Sequence, residues 1–125
     1  MKRLFQDYSG KVEALINLEI LEAIALVEEK DDDVILLWLK EKNNGAWLRV
    51  FIDGAYCGID LYKNNKLEED KDEGVKLVNH TEWFKNKKIK SAVVSSENKN
   101  IILTLSFKEA EFQLICTSEE CECYL

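Results

Sequence analysis

Leu15-Ile16-Asn17-Leu18-Glu19-Ile20-Leu21-Glu22-Ala23-Ile24 is the stretch on which the fold turns, because two principles read it in opposite ways. Leu, Glu and Ala are strong helix formers. Across residues 11–30, Leu15, Ile16, Ile20, Ala23, Ile24 and Val27 also fit helical spacing. Propensity alone makes one long helix. A second stretch argues against it: Phe84-Lys85-Asn86-Lys87-Lys88-Ile89-Lys90-Ser91-Ala92-Val93. Set 69 positions apart, the two share Asn17/Asn86, Ile20/Ile89 and Ala23/Ala92, and the identities continue at Glu28/Glu97 and Lys30/Lys99. A gap of two residues then brings Ile35 and Leu36 over Ile102 and Leu103. An internal repeat constrains architecture more than local propensity does. The second copy reads as a strand, so the repeat predicts a strand over 19–28, preceded by a helix over 9–17.

Working outward, apolar runs predict strands over 34–40, 46–53 and 57–62. Asn43-Asn44-Gly45 and Asp53-Gly54 supply the positive-φ residues of the turns between them. In the second half, strands are predicted over 89–96, 101–107, 110–117 and 121–124, with a turn at Glu97-Asn98-Lys99-Asn100. Asn79-His80-Thr81-Glu82 has the form of a capping box, in which Asn79 accepts from the Glu82 N–H before a helical turn through Trp83 and Phe84. Residues 63–74 are almost wholly polar and are read as an exposed loop between the halves. The expected class is α+β: mostly antiparallel β-sheet with short helices, as two similar α-then-β units, 9–62 and 79–125. Both share one domain over 1–125.

A chain of 125 residues is one domain's worth, and 46% hydrophobic residues suffice for a core. The net charge of −7 argues against nucleic acid and anionic membrane as partners, since phosphate affinity comes mostly from Lys and Arg. Lys85, Lys87, Lys88 and Lys90 run against that trend beside Trp83 and Phe84; an edge strand guarded by lysines accounts for them. No run of about twenty apolar residues occurs, and Met1-Lys2-Arg3 is followed by no apolar signal region, so a cytoplasmic chain is expected.

The chemistry of catalysis is sparse. Phosphate-cradling glycine loops, a G-x-S-x-G elbow and an H-E-x-x-H helix are all missing. One histidine, His80, cannot build a multi-histidine metal site. Cys57, Cys116, Cys121 and Cys123 are expected to be reduced core residues in a cytoplasmic chain, with Cys121, Cys123 and Leu125 on one strand face. Two sharper readings stand beside this one: a structural zinc or redox module using all four cysteines, and a small hydrolase pairing Cys57 with His80 and Asp60. The expectation is a protein that is not an enzyme and carries no cofactor or metal.

Phe84-x-Asn86-x-x-Ile89-x-x-Ala92-Val93-Val94, then Ile101 through Phe107, Phe112-Gln113-Leu114-Ile115 and Glu122-Cys123-Tyr124-Leu125 together carry a resemblance. This pattern resembles the carboxyl-terminal half of small β-rich proteins found among bacterial immunity proteins, which protect against polymorphic or contact-dependent growth inhibition toxins. It departs from the usual pattern at Asn86, where glycine is typical, and in lacking Asp-Gly after Phe107. The resemblance implies a cytoplasmic, non-enzymatic protein that binds one cognate toxin domain and blocks its active site; it transfers no contact residue. Composition supplies candidates for such a surface. Acidic clusters at Asp31, Asp32, Asp33 and at Glu68, Glu69, Asp70, Asp72, Glu73 would attract a basic toxin domain, such as a nuclease, with Trp47 and Tyr62 as buried anchors near their centre. A third cluster is Glu119-Glu120-Cys121-Glu122.

Overall fold

Residues 23–27 are apolar without interruption, and that run decides the contest between helix and strand. In the computed structural model, which describes residues 1–64, 73–117 and 121–125, the run lies inside a strand, β3 (Ile20–Glu28). Ala23, Ala25 and Val27 turn to one core, while Leu26 and Ile24 turn to a second apolar cluster on the opposite face. A strand covered on both faces has no need of polar alternation, so its sequence mimics a helix. The predicted helix over 9–17 does not form. The chain there makes a two-residue strand, β2 (Gly10–Lys11), and a single 3-10 turn over Glu13–Leu15.

The remaining strands are β1 (Lys2–Asp7), β4 (Val34–Glu41), β5 (Trp47–Asp53), β6 (Tyr56–Tyr62), β7 (Val75–Asn79), β8 (Ser91–Glu97), β9 (Asn100–Ser106), β10 (Glu111–Cys116) and β11 (Cys121–Tyr124). The one helix among the described residues is α1 (Thr81–Phe84). Its start differs from the capping box expected: Asn79 accepts from the Thr81 N–H at 2.8 Å, and His80 occupies the cap without a side-chain bond. The protein is thus mostly antiparallel β-sheet, as expected. The helical openings of two α-then-β units reduce to one 3-10 turn and one turn of α-helix.

Two sheets pack face to face. One runs β1-β6-β5-β4-β3-β7 and the other β11-β10-β9-β8-β2, every neighbouring pair antiparallel. Between them lies a core that draws Leu37, Leu39, Val50 and Ile59 from the first sheet and Val94, Leu103, Leu105 and Leu114 from the second. Each sheet takes its last strand from the other half of the chain: β7 pairs with β3, and β2 pairs with β8.

The two matched stretches meet where this exchange occurs, and they bind each other reciprocally. The Asn17 N–H donates to Ile89 C=O at 2.8 Å, and the Asn86 N–H donates to Ile20 C=O at 2.9 Å. The Ile20 N–H donates to Lys87 C=O at 3.0 Å, and the Ile89 N–H donates to Leu18 C=O at 2.8 Å. Glu19 and Lys88, 69 positions apart, form an isolated bridge. Asn17 and Asn86 both hold positive φ, 73° and 64°. Asparagine tolerates that region better than other side chains, which gives the shared residue a local task.

The face of the first sheet turned away from the core carries Trp38, wholly buried against Trp47 and Tyr62 at ring distances of 6.4 and 5.2 Å. Among the described residues Trp38 Nε1 finds no acceptor. On the same face Gly58 leaves room for the Phe51 ring, over which stand the guanidinium groups of Arg3 and Arg49, 5.3 and 4.9 Å from its centroid. A Cβ on Gly58 would stand under 3.0 Å from Cζ of that ring, closer than contact allows. Gly58→Ala is therefore expected to cost about 1–3 kcal/mol by overpacking. Urea denaturation checks this, and a variant as stable as wild type would mean that Phe51 moves aside freely.

Candidate functional site

The acidic residues Asp31, Asp32 and Asp33 form the turn between β3 and β4. The turn is closed by the Glu28 N–H donating to Asp33 C=O at 2.9 Å and the Asp32 N–H donating to Glu28 C=O at 3.0 Å. Asp32 takes positive φ, 59°, and its carboxylate meets Lys76 of β7 at 2.7 Å. That neighbour also raises the Lys76 pKa, chiefly through the hydrogen bond. Glu28, Asp31 and Asp33 crowd together, their carboxylate oxygens within 4.8 Å of one another, and Lys30 offsets the charge at Glu28 only in part. Repulsion from Asp31 is the main cause that lifts the Glu28 pKa. Desolvation, then Asp31, then Glu122 lift that of Asp33.

Glu122 belongs to β11, in the other sheet. Of the third acidic cluster, Glu119 and Glu120 lie outside the described residues, and Glu122 comes beside the first cluster. Between them opens a cleft of about 420 Å³. Its apolar lining is Val27, Val34 and Val78, its acidic lining Asp31, Asp32 and Glu122, and His80, Cys123 and Tyr124 complete it. Burial lowers the His80 pKa, so this imidazole is neutral at neutral pH. Tyr124 is about half exposed (51%) and donates its hydroxyl to Glu122. Sequence reading missed His80 and Tyr124 in this place. It also placed the anchors elsewhere: Trp47 pairs with Lys40, seven residues along β4 from the turn, which sets it roughly 20 Å from the acids. Trp47 and Tyr62 do stand together, but on the outer face with Trp38. Glu73 is exposed, and Glu68, Glu69, Asp70 and Asp72 lie outside the described residues.

The lysines fare differently from expectation. Lys85, Lys87 and Lys88 lie in the connection between α1 and β8, not on an edge strand. Lys87, Lys88, Lys90 and Lys108 line a separate cleft of about 540 Å³. Lys87 donates to Trp83 C=O and sits over the Trp83 ring, 4.7 Å from its centroid.

The cysteines are not all reduced, which corrects the sequence expectation. Cys116 and Cys121 are directly opposite on β10 and β11, so their side chains share a face and join in a disulfide. Adjacent strands in register place two thiols side by side, a proximity that spacing along the chain does not reveal. Cys57 and Cys123 are free. The four sulfurs form no common ligand cluster, since among the described residues the only metal-competent group is the acidic one. Nor does the Cys57 arrangement assemble. Burial pushes the Cys57 thiol up to about 12, far from a reactive thiolate at neutral pH. Asp60, three residues along β6 and so on the opposite face, is held by Arg3 and Arg49.

No family model, curated protein or solved structure matches this chain. No described helix is long and apolar enough to cross a membrane.

Proposed function

We propose that this protein is an inhibitor of the immunity type, a cytoplasmic, non-enzymatic chain that captures a basic bacterial toxin domain and covers its active site. One observation carries the reading: acidic side chains from both sheets converge on a cleft with an apolar floor. Glu28, Asp31 and Asp33 repel one another in the free protein despite Lys30, and an incoming Lys or Arg relieves that repulsion. Complementary charge of this kind mainly speeds encounter, and it is screened over a Debye length of about 8 Å at physiological salt. Val27, Val34, Val78 and Tyr124 supply the desolvated contact that slows departure.

The test is binding kinetics against the toxin domain encoded beside its gene. Asp31→Asn with Asp33→Asn is expected to slow association about tenfold at low salt and to flatten its salt dependence, with dissociation little changed. Asp32→Asn alone has less effect, because Lys76 already offsets that charge. The pH profile has a definite sign. Glu28 and Asp33 hold protons above the ordinary carboxylate range, so association slows on acidification before ordinary carboxylates titrate. Unchanged association in the double variant removes the acidic cleft from the interface. A locus with no toxin-like gene removes the toxin.

A further inference from the structure

β6 and β11 end the two halves of the chain, but they are finished differently. The outer edge of β6 is covered by β1, paired from Lys2↔Leu61 to Asp7↔Cys57 with a register shift between Arg3 and Phe5. β11 has β10 on one side and, among the described residues, no hydrogen-bonded strand on the other, although β4 of the first sheet lies close to it. The Cα atoms of Cys116 and Cys121 are 4.0 Å apart, close to the spacing of a non-hydrogen-bonded pair in an antiparallel ladder. By alternation, the main-chain N–H and C=O of Cys121 and Cys123 point away from β10. Exposed edges are commonly guarded by lysine or proline. β1 carries Lys2 and Arg3, β2 carries Lys11 and β7 carries Lys76, whereas β11 reads Cys-Glu-Cys-Tyr, with no basic residue and with Glu122 as its one charge, which would admit a basic segment.

Cys123 lines the cleft described above, so this open edge borders its apolar floor and acidic rim. We propose that β11 is a strand-accepting edge, to which another protein adds an extended segment bearing Lys or Arg antiparallel to Cys121–Tyr124. The proposal deepens the capture reading and rests on it. Charge selects the occupant: Asp31, Asp32 and Glu122 flank the edge, and Glu28 and Asp33 adjoin it. Alternation selects its pattern, with apolar residues toward Val27, Val34 and Val78 and basic residues toward the carboxylates. The chain holds its own precedent in β1, whose Leu4 and Phe5 pack on the core while Arg3 reaches Asp60.

The probe is a capped hexapeptide of alternating Lys and Val, titrated into the full chain at low salt while amide hydrogen exchange is followed by NMR. The expected result is binding that slows exchange at Cys121 and Cys123 by about tenfold or more. N-methylating the peptide amides that would face β11 should weaken binding about tenfold, since each lost main-chain bond counts. Cys123→Pro should do the same, because its N–H points outward and the β10 ladder survives; if that variant fails to fold, the N-methyl peptide carries the test. Asp31→Asn with Asp33→Asn should weaken binding in a salt-dependent way. Binding with unchanged exchange at both cysteines and no effect of N-methylation overturns strand addition and leaves charge capture standing. Absence of binding also overturns strand addition, while the capture reading is judged separately by the toxin kinetics.

Discussion

Phe84→Ala is expected to cost about 3–5 kcal/mol, the range for emptying a fully buried aromatic site. Phe84 is the single buried residue of α1, and it is wholly shielded from solvent. Its ring meets Trp83 at 4.7 Å, Phe112 at 5.1 Å and Phe107 at 6.0 Å, in edge-to-face geometries that add to the area buried. Residue 84 also opens the second matched stretch, so a cavity there loosens the hydrogen bonds at Asn86 and Ile89 that lock the halves together. Phe84→Leu should cost less, since leucine refills much of the volume. The check is the midpoint of urea denaturation. A loss under about 1 kcal/mol would show that the four rings do not form a packed cluster.

Asp60→Ala is the second large effect, expected at about 3 kcal/mol. Asp60 is 1% exposed and faces Arg3 and Arg49, which are a third and a quarter exposed. Removing the carboxylate leaves two cations over the Phe51 ring without their shared anion. Their partial exposure lets them turn to water, which holds the cost to the lower end of the range for a broken buried pair. The diagnostic is where the protein loosens. Arg3 is the side chain that fastens β1, so amide exchange should quicken along Lys2–Asp7 more than in the second sheet. Uniform loosening, or none, would mean that β1 is held by its ladder with β6 and by Leu4 and Phe5 without help from Arg3.

Much of the fold was legible where a strand has one wet face. In β9, Ile101, Leu103 and Leu105 are buried while Ile102, Thr104 and Ser106 are half-buried, and that alternation identifies the strand directly. β3 hid its nature because both of its faces are covered, and only the repeat exposed it. β1 and β7 were not foreseen. Each is an edge strand held by a partner distant in sequence, β6 and β3, and no local pattern announces such pairing. The acidic site was legible as composition, but not as a place. Glu28, Asp31 and Asp33 meet because a tight turn folds them together, and Glu122 joins them only because the second sheet ends above that turn. The misplaced anchors have the same origin: β4 separates Trp47 from the acids by its own length, a distance fixed once the strand is straight.

The exchange of β2 and β7 between the sheets bears on how the chain comes off the ribosome. β3 can be flanked on both sides only after Val75–Asn79 has emerged, and β2 waits for Ser91–Glu97. During synthesis the first half therefore stays an unfinished sheet with its β3 edge open as well as its β1 edge, and the reciprocal bonds at Asn17 and Asn86 form late. Pairings this distant in sequence place folding in the slow range of roughly milliseconds to seconds. The nascent first half must keep β3 from pairing with other chains until its own β7 arrives.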